Sequence, residues 1–353
     1  MFRSLFLAFL SCSLSAIGQS TLPNPLGAGT GGALFASGER QQVIDGVVAK
    51  LNDSYIDLAV AKTMSEALLA HQKRGDYDLL DQYTFAARIT EDMQDVSHDK
   101  HLRVRYSSSH LPADGSDLTP DEQAQRRADL ESANCGFEQV RILSDNIAYI
   151  KFNLFGPPDL CGPTVAAAMG FVAHARALIF DVSENRGGAP AMVDMIASYL
   201  FDKRTHLNDL YNRQTNETTQ YWTLLHLAGT RLPNLPVFVL TSKMIFSGAE
   251  EFCYDLQALK RATIVGEVTA GGAHPIHAYR ISDHFSIDVP CARAVNPITK
   301  TDWEGTGVIP DVNVIAYTAL DTARDLASKI PLSGPASRTA GEGFPTWKLT
   351  TKP

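Results

Sequence analysis

After its first twenty positions the sequence has no run of 18 or more apolar residues, so no transmembrane helix and no stable membrane anchor are expected. It has no excess of positive charge. Its 31 Lys and Arg stand against 39 Asp and Glu, for a formal net charge of −8, which argues against a nucleic-acid partner. It has no evident internal repeat. Histidines are not arranged as metal ligands: His98 and His101 make an H-x-x-H with His110 nearby, but no third ligand has recognisable spacing and H-E-x-x-H is absent. Neither a metal nor a cofactor is therefore expected. The nucleophile elbow G-x-S-x-G is also absent, because Ile245 stands where its first glycine would be. What remains is an ordinary globular composition, 44% hydrophobic and 20% charged over 353 residues, enough for one large domain or two moderate ones.

Pro236 to Gly272 is the most informative stretch. Val237 to Leu240 is a short apolar run of the kind buried on both faces of a parallel sheet. Phe252, Leu256 and Leu259 then recur at helical spacing, with Glu250 and Glu251 in the first turn, where the helix dipole favours negative charge. Ala262 to Val265 is a second buried strand. Strand, helix and strand form one βαβ unit, and Ser247 lies at the carboxyl end of its first strand, where open parallel sheets place their sites. Serine there can be a helix N-cap. Local pattern alone does not make it a nucleophile, although the N–H of Gly248 is placed to stabilise an oxyanion.

The rest of the chain supplies the setting. Arg3, the apolar run Leu5 to Leu10 and the small residues Ala16 and Gly18 read as a signal peptide over 1–18, cleaved before Gln19. An extracytoplasmic protein, periplasmic or secreted, follows from that reading. Cys12 leaves with the signal, and Cys135, Cys161, Cys253 and Cys291 remain. Disulfides are then permitted, with Cys135–Cys161 favoured because both flank the strand Asn146 to Phe152 in polar loops, and Cys253–Cys291 as a further pairing. Residues 19–38 read as a flexible leader. Residues 39–97 read as a small helical domain, with Val43, Val47 and Leu51, then Leu68 and Leu69, then Phe85, Ile89 and Met93 as helix stripes. His101 is expected to open a strand, on its polar face with Arg103 and Arg105. Residues near 107–133 read as a polar insertion with one short helix, Asn185 to Gly188 as a loop closing the strand Ala177 to Val182, and Asp202 to Leu232 as a polar excursion. A helix over Ala316 to Ile330 ends the core, 98–330, before a loosely ordered tail, 331–353.

The motifs L-I-F-D-V-S-E-N-R-G-G at Leu178, S-G-A-E-E-F at Ser247, R-A-T-I-V-G-E-V-T-A-G-G-A-H at Arg261 and N-P-I-T-K-T-D-W-E-G-T-G-V-I-P-D-V at Asn296 occur in this order. Over roughly Asp99 to Val314 the sequence resembles the S41 serine peptidases, which include tail-specific proteases, the tricorn core and the repeats of interphotoreceptor retinoid-binding protein. The resemblance implies an α/β fold, a ClpP/crotonase-like βαβ core with a small N-terminal helical bundle. It implies Ser247 as nucleophile, and Gly248 with Gly187 or Gly188 as oxyanion hole. It also exposes a departure. Tail-specific proteases carry a lysine base in G-E-x-T-x-G-K, and here that position is Gly272. Glycine accepts no proton, and a serine hydroxyl needs a base. The tricorn branch uses an upstream histidine and a downstream glutamate, matched here by His101 and Glu304. His274, nearer the lost lysine, is the competing base. No PDZ domain is legible. The resemblance thus implies a serine-type peptidase acting on peptide or protein substrates. The alternative is an inactive carrier of hydrophobic ligands, like the retinoid-binding repeats.

Overall fold

The computed structural model describes residues 35–116 and 118–331. The expected signal peptide at 1–18 and, apart from Pro331, the expected tail lie outside them. Three helices open the described chain: α1 (Ser37–Ser54), α2 (Leu58–Arg74) and α3 (Gln82–Ser97). Asp57 caps α2 by accepting from the N–H groups of Ala59 and Val60, and Asp81 caps α3 through Thr84. Of the expected leader, residues 19–34 lie outside the described residues, and 35–38 belong to the folded chain instead. Ser37 and Gly38 already belong to α1, and Phe35 is buried against Phe85 and Phe285, with ring centroids 5.0 and 5.3 Å apart.

The chain continues through β1 (Arg103–Tyr106), α4 (Pro120–Ser132), β2 (Phe137–Ile142), β3 (Ile147–Phe152), α5 (Pro158–Phe171), β4 (Ala177–Asp181) and α6 (Pro190–Ser198). Next come β5 (His206–Asn212), β6 (Glu217–Trp222), β7 (Val237–Thr241), α7 (Gly248–Ala258) and β8 (Thr263–Gly266). The described chain closes with β9 (Ile276–Arg280), β10 (Phe285–Pro290), β11 (Ala292–Val295), β12 (Val312–Asn313) and α8 (Ala316–Ser328). Two expectations are corrected. The polar excursion after Asp202 holds a hairpin, β5 with β6, pairing Leu210 with Thr219. His101 lies in the turn before β1 rather than on the strand.

The core is a six-stranded sheet in the order β12-β8-β7-β4-β3-β2, parallel except for β2. Side chains of a strand alternate between faces. Leu178 and Phe180 face one side with residues of α5, α6 and α7, while Ala177 and Ile179 face the other with Ala319, Ala323 and Ala327 of α8. A second sheet, β1-β10-β9, is covered by the N-terminal helices, with Leu102, Val104, Ile287 and Val289 packed among Val47, Phe85 and Ile89. Cys135 and Cys161 form a disulfide; Cys253 and Cys291 are buried thiols, so the further pairing expected between them is not formed.

Adjacent parallel strands release their loops at one edge. Because β8, β7 and β4 are neighbours, the segment after each ends at the same place. Those segments carry Gly271 and Gly272, Ser247, and Gly187 and Gly188 respectively.

Candidate active site

Ser247 joins β7 to α7 with φ 57° and ψ −128°. A non-glycine residue in that region is strained, and the surroundings over-determine it. Its carbonyl accepts from the N–H groups of Glu250 and Glu251 at 2.8 and 3.0 Å. Its own N–H donates to the Glu250 carboxylate at 2.9 Å. Glu250 is fully buried and also accepts from Gly271 N–H at 2.7 Å, Gly272 N–H at 2.8 Å and the Thr269 hydroxyl. One carboxylate therefore fixes the serine turn to the loop after β8. Burial raises the Glu250 pKa, and these four donors oppose the rise.

The glycine loop after β4 lies against this turn. A Cβ on Gly187, at φ +97°, would come 2.7 Å from Gly248 N, and one on Gly248 would come 3.3 Å from Gly188 N. At Gly187 only glycine allows that approach, and at Gly248 a side chain would crowd its neighbours. Gly187 N–H is taken by Asn185 Oδ1 at 2.8 Å, whereas among the described residues no such bond engages Gly188 N–H or Gly248 N–H. Of the two expected glycines, Gly188 is thus the one with a donor to spare.

His101 reaches the same edge from the N-terminal layer. Its ring lies on Phe246, the residue before the serine, with centroids 4.3 Å apart. Gly272 leaves the room: a Cβ there would fall 2.8 Å from His101 Cε1 and 2.2 Å from Phe246 Cε2. The side chain of His101 is 10% exposed, so it is not the solvated histidine that its arginine neighbours suggest. Among the described residues no hydrogen bond joins its ring to Ser247. Burial pushes its pKa down to about 4, although Asp99 opposes the shift.

Asp99 was not singled out in the sequence, yet it connects the histidines. It is 1% exposed. Its Oδ1 accepts from His101 N–H at 3.0 Å and lies 4.0 Å from His101 Nδ1. Its Oδ2 accepts from His274 Nδ1 at 2.7 Å and from the Tyr55 hydroxyl at 3.3 Å. Glu304 Oε2 accepts from Ala273 N–H at 2.5 Å and lies 3.7 Å from His274 Nδ1. Its loop is anchored where Trp303 Nε1 donates to Gly272 O at 2.8 Å. Glu304 is therefore closer to His274 than to His101, though ligand atoms of Asp99, His101 and Glu304 all lie within 4.8 Å of one another. Burial, then the Asp99 charge, pushes Glu304 up to about 7. Burial pulls His274 down, but the Asp99 hydrogen bond and the charges of Glu304 and Asp99 outweigh it, and its pKa is raised. The D-x-H spacing was the only sequence signal for Asp99, because burial cannot be read from two polar residues in a turn.

Comparison with known proteins gives two adjoining family matches. A model described as peptidase family S41 matches residues 146–314. One described as the N-terminal domain of Peptidase_S41 in eukaryotic IRBP matches residues 36–133. Among solved structures, a candidate peptidase from Parabacteroides merdae is 17% identical, with a TM-score of 0.58 over 82% of this chain and 96% of that one. Mature CPAF complexed with lactacystin is 12% identical, with a TM-score of 0.56 over 83% and 98%. The photosystem II D1 C-terminal processing protease is 14% identical, with a TM-score of 0.51 over 80% and 94%. At these identities the likeness is one of fold.

Proposed function

Because the chain belongs to peptidase family S41, we propose that it is an extracytoplasmic serine-type peptidase in which a histidine replaces the lysine base of the tail-specific proteases. Ser247 is the nucleophile. His101 takes the Ser247 proton as Oγ attacks a peptide carbonyl, and the N–H groups of Gly248 and Gly188 stabilise the oxyanion. The imidazolium then gives its proton to the leaving amine, and water hydrolyses the acyl-enzyme. Asp99 positions His101, and its charge stabilises the imidazolium. Glu304 adds a second carboxyl, linked to Asp99 through His274.

The observation that carries this reading is the use of space at Gly272. Where the tail-specific proteases have their base, this chain has a glycine, and the His101 ring lies beside it on Phe246. No His101–Ser247 hydrogen bond is present, but such bonds often tighten only when substrate binds. Location outside the cytoplasm agrees with the Cys135–Cys161 disulfide, and no described helix is long and apolar enough to cross a membrane.

One observation favours a second base. His274 has the carboxylate-bound Nδ1 of a triad histidine, 2.7 Å from Asp99. The test is intact-mass analysis after treatment with a fluorophosphonate, on wild type, Ser247→Ala, His101→Ala and His274→Ala. A single adduct lost in Ser247→Ala establishes the activated serine. Loss in His274→Ala with retention in His101→Ala would transfer the role of base. No adduct on folded wild type, together with saturable binding of a fluorescent retinoid, would favour the carrier, for which the match of 36–133 to an IRBP domain speaks.

A further inference from the structure

His101 Nδ1 is buried and has no hydrogen-bond partner among the described residues. An imidazole nitrogen in that position is costly. The atom lies 4.0 Å from Asp99 Oδ1, and Asp99, His101 and Glu304 each offer a ligand atom within 4.8 Å of the others. One neutral nitrogen and two carboxylate oxygens form a donor set suited to a borderline-soft divalent ion. To meet such an ion at the usual 2.0–2.2 Å, each atom has to move by less than about 1 Å. His274 already holds Asp99 Oδ2 at 2.7 Å, as the outer partner of a ligand does, and water supplies the open position.

We propose that Asp99, His101 and Glu304 bind a zinc-class divalent cation, and that the bound ion silences the site by occupying the imidazole that would otherwise receive the Ser247 proton. The silencing rests on the peptidase reading above; the binding does not. Metal occupancy would thus act as a reversible brake on a protease outside the cytoplasm.

Zinc binding to the whole metal-free protein is measured by calorimetry, beside fluorophosphonate labelling with and without zinc. One zinc per chain is expected, with labelling suppressed at stoichiometric zinc and restored by a chelator. Glu304→Gln and Asp99→Asn should each weaken binding by roughly tenfold or more. His98→Asn, at the exposed other end of the H-x-x-H, should leave it unchanged. Circular dichroism checks that each variant is folded. A metal-free protein that labels but binds no zinc saturably overturns the site, as does zinc binding that survives both carboxylate variants. Zinc that binds at this site without slowing labelling overturns the brake alone. A protein that never labels but still binds zinc defeats the peptidase reading and leaves the site standing.

Discussion

A Cβ on Gly272 would lie 2.2 Å from Phe246 and 2.8 Å from His101, so two rings already fill the volume that a longer side chain at this position needs. Gly272→Lys is therefore expected to abolish fluorophosphonate labelling rather than recreate a Ser–Lys dyad, and to cost about 1–3 kcal/mol of stability through overpacking. Denaturant unfolding beside labelling checks both; a folded, labelling variant would mean that the rings move aside freely. The identity of the base has its own signature. A base must be deprotonated, so labelling is lost as pH falls through its pKa. Burial holds His101 near 4, whereas His274 is raised above its ordinary 6.5. With His101 as base, the labelling rate should persist well below pH 6.5. A rate that collapses above 6.5, and keeps that limb in His101→Ala, would assign the role to His274. The resemblance to the S41 peptidases picked out Ser247, His101 and Glu304 as candidates, because the motifs that carry it and the lysine-to-glycine change are written in residue types. It could not pick out Asp99, whose importance lies in being 1% exposed between two imidazoles.

The unit from β7 through α7 to β8 was legible to within two residues, since strands buried on both faces are apolar without alternation. The hairpin of β5 and β6 was not. The first four residues of β6, Glu217 to Gln220, are exposed, so no apolar period marks the strand. The cross-link between Cys135 and Cys161 was favoured for the right strand but on a wrong local picture. Cys161 sits in α5 rather than in a loop, and the bond ties the turn before β2 to that helix. Closing a loop of 26 residues, it should contribute about 3 kcal/mol. Unfolding in denaturant with and without reductant measures this, and equal midpoints would show that the bond leaves the unfolded chain unconstrained. Gly188 belongs to the same scale. At φ +142° its added Cβ would sit 2.1 Å from Phe155 O, against the segment that the disulfide helix supports. Gly188→Ala should thus lower both labelling and stability, the latter by about 1–3 kcal/mol. Labelling at the wild-type rate would remove Gly188 from the oxyanion site.

Over the whole molecule, the site depends on which loops meet, and that depends on the strand order β8-β7-β4 and on the N-terminal layer that brings in His101. Strand order has no local signature, which is why the sequence leaves the separation of 146 positions from His101 to Ser247 (247 − 101) unbridged. A second feature seen only at this scale is the burial of three carboxyls between α6 and α7: Asp194 at 7%, Glu251 at 5% and Asp255 at 1% exposure. Asn208 donates to Glu251 and Asn296 to Asp255, each at 3.0 Å, but Asp255 Oδ2 has no partner. Burial, then the Glu251 charge, pushes Asp194 up to about 8; burial pushes Glu251 up to about 7 and Asp255 well above its ordinary 3.8. A carboxyl raised in the folded state binds its proton more tightly there than in the unfolded chain. The stability it contributes is complete below the unfolded value, near 4, and is lost as pH rises through the folded one. The carboxyls of Asp76 and Glu122 shift the other way, but both are exposed and screened. The unfolding midpoint should therefore fall between about pH 5 and pH 8. Asp194→Asn, which cannot ionise, should fall less steeply, and the difference between the two curves isolates this carboxyl from the histidines of the site. Parallel curves would mean that water or a cation already neutralises the cluster, and the fold would then carry no acid preference of its own.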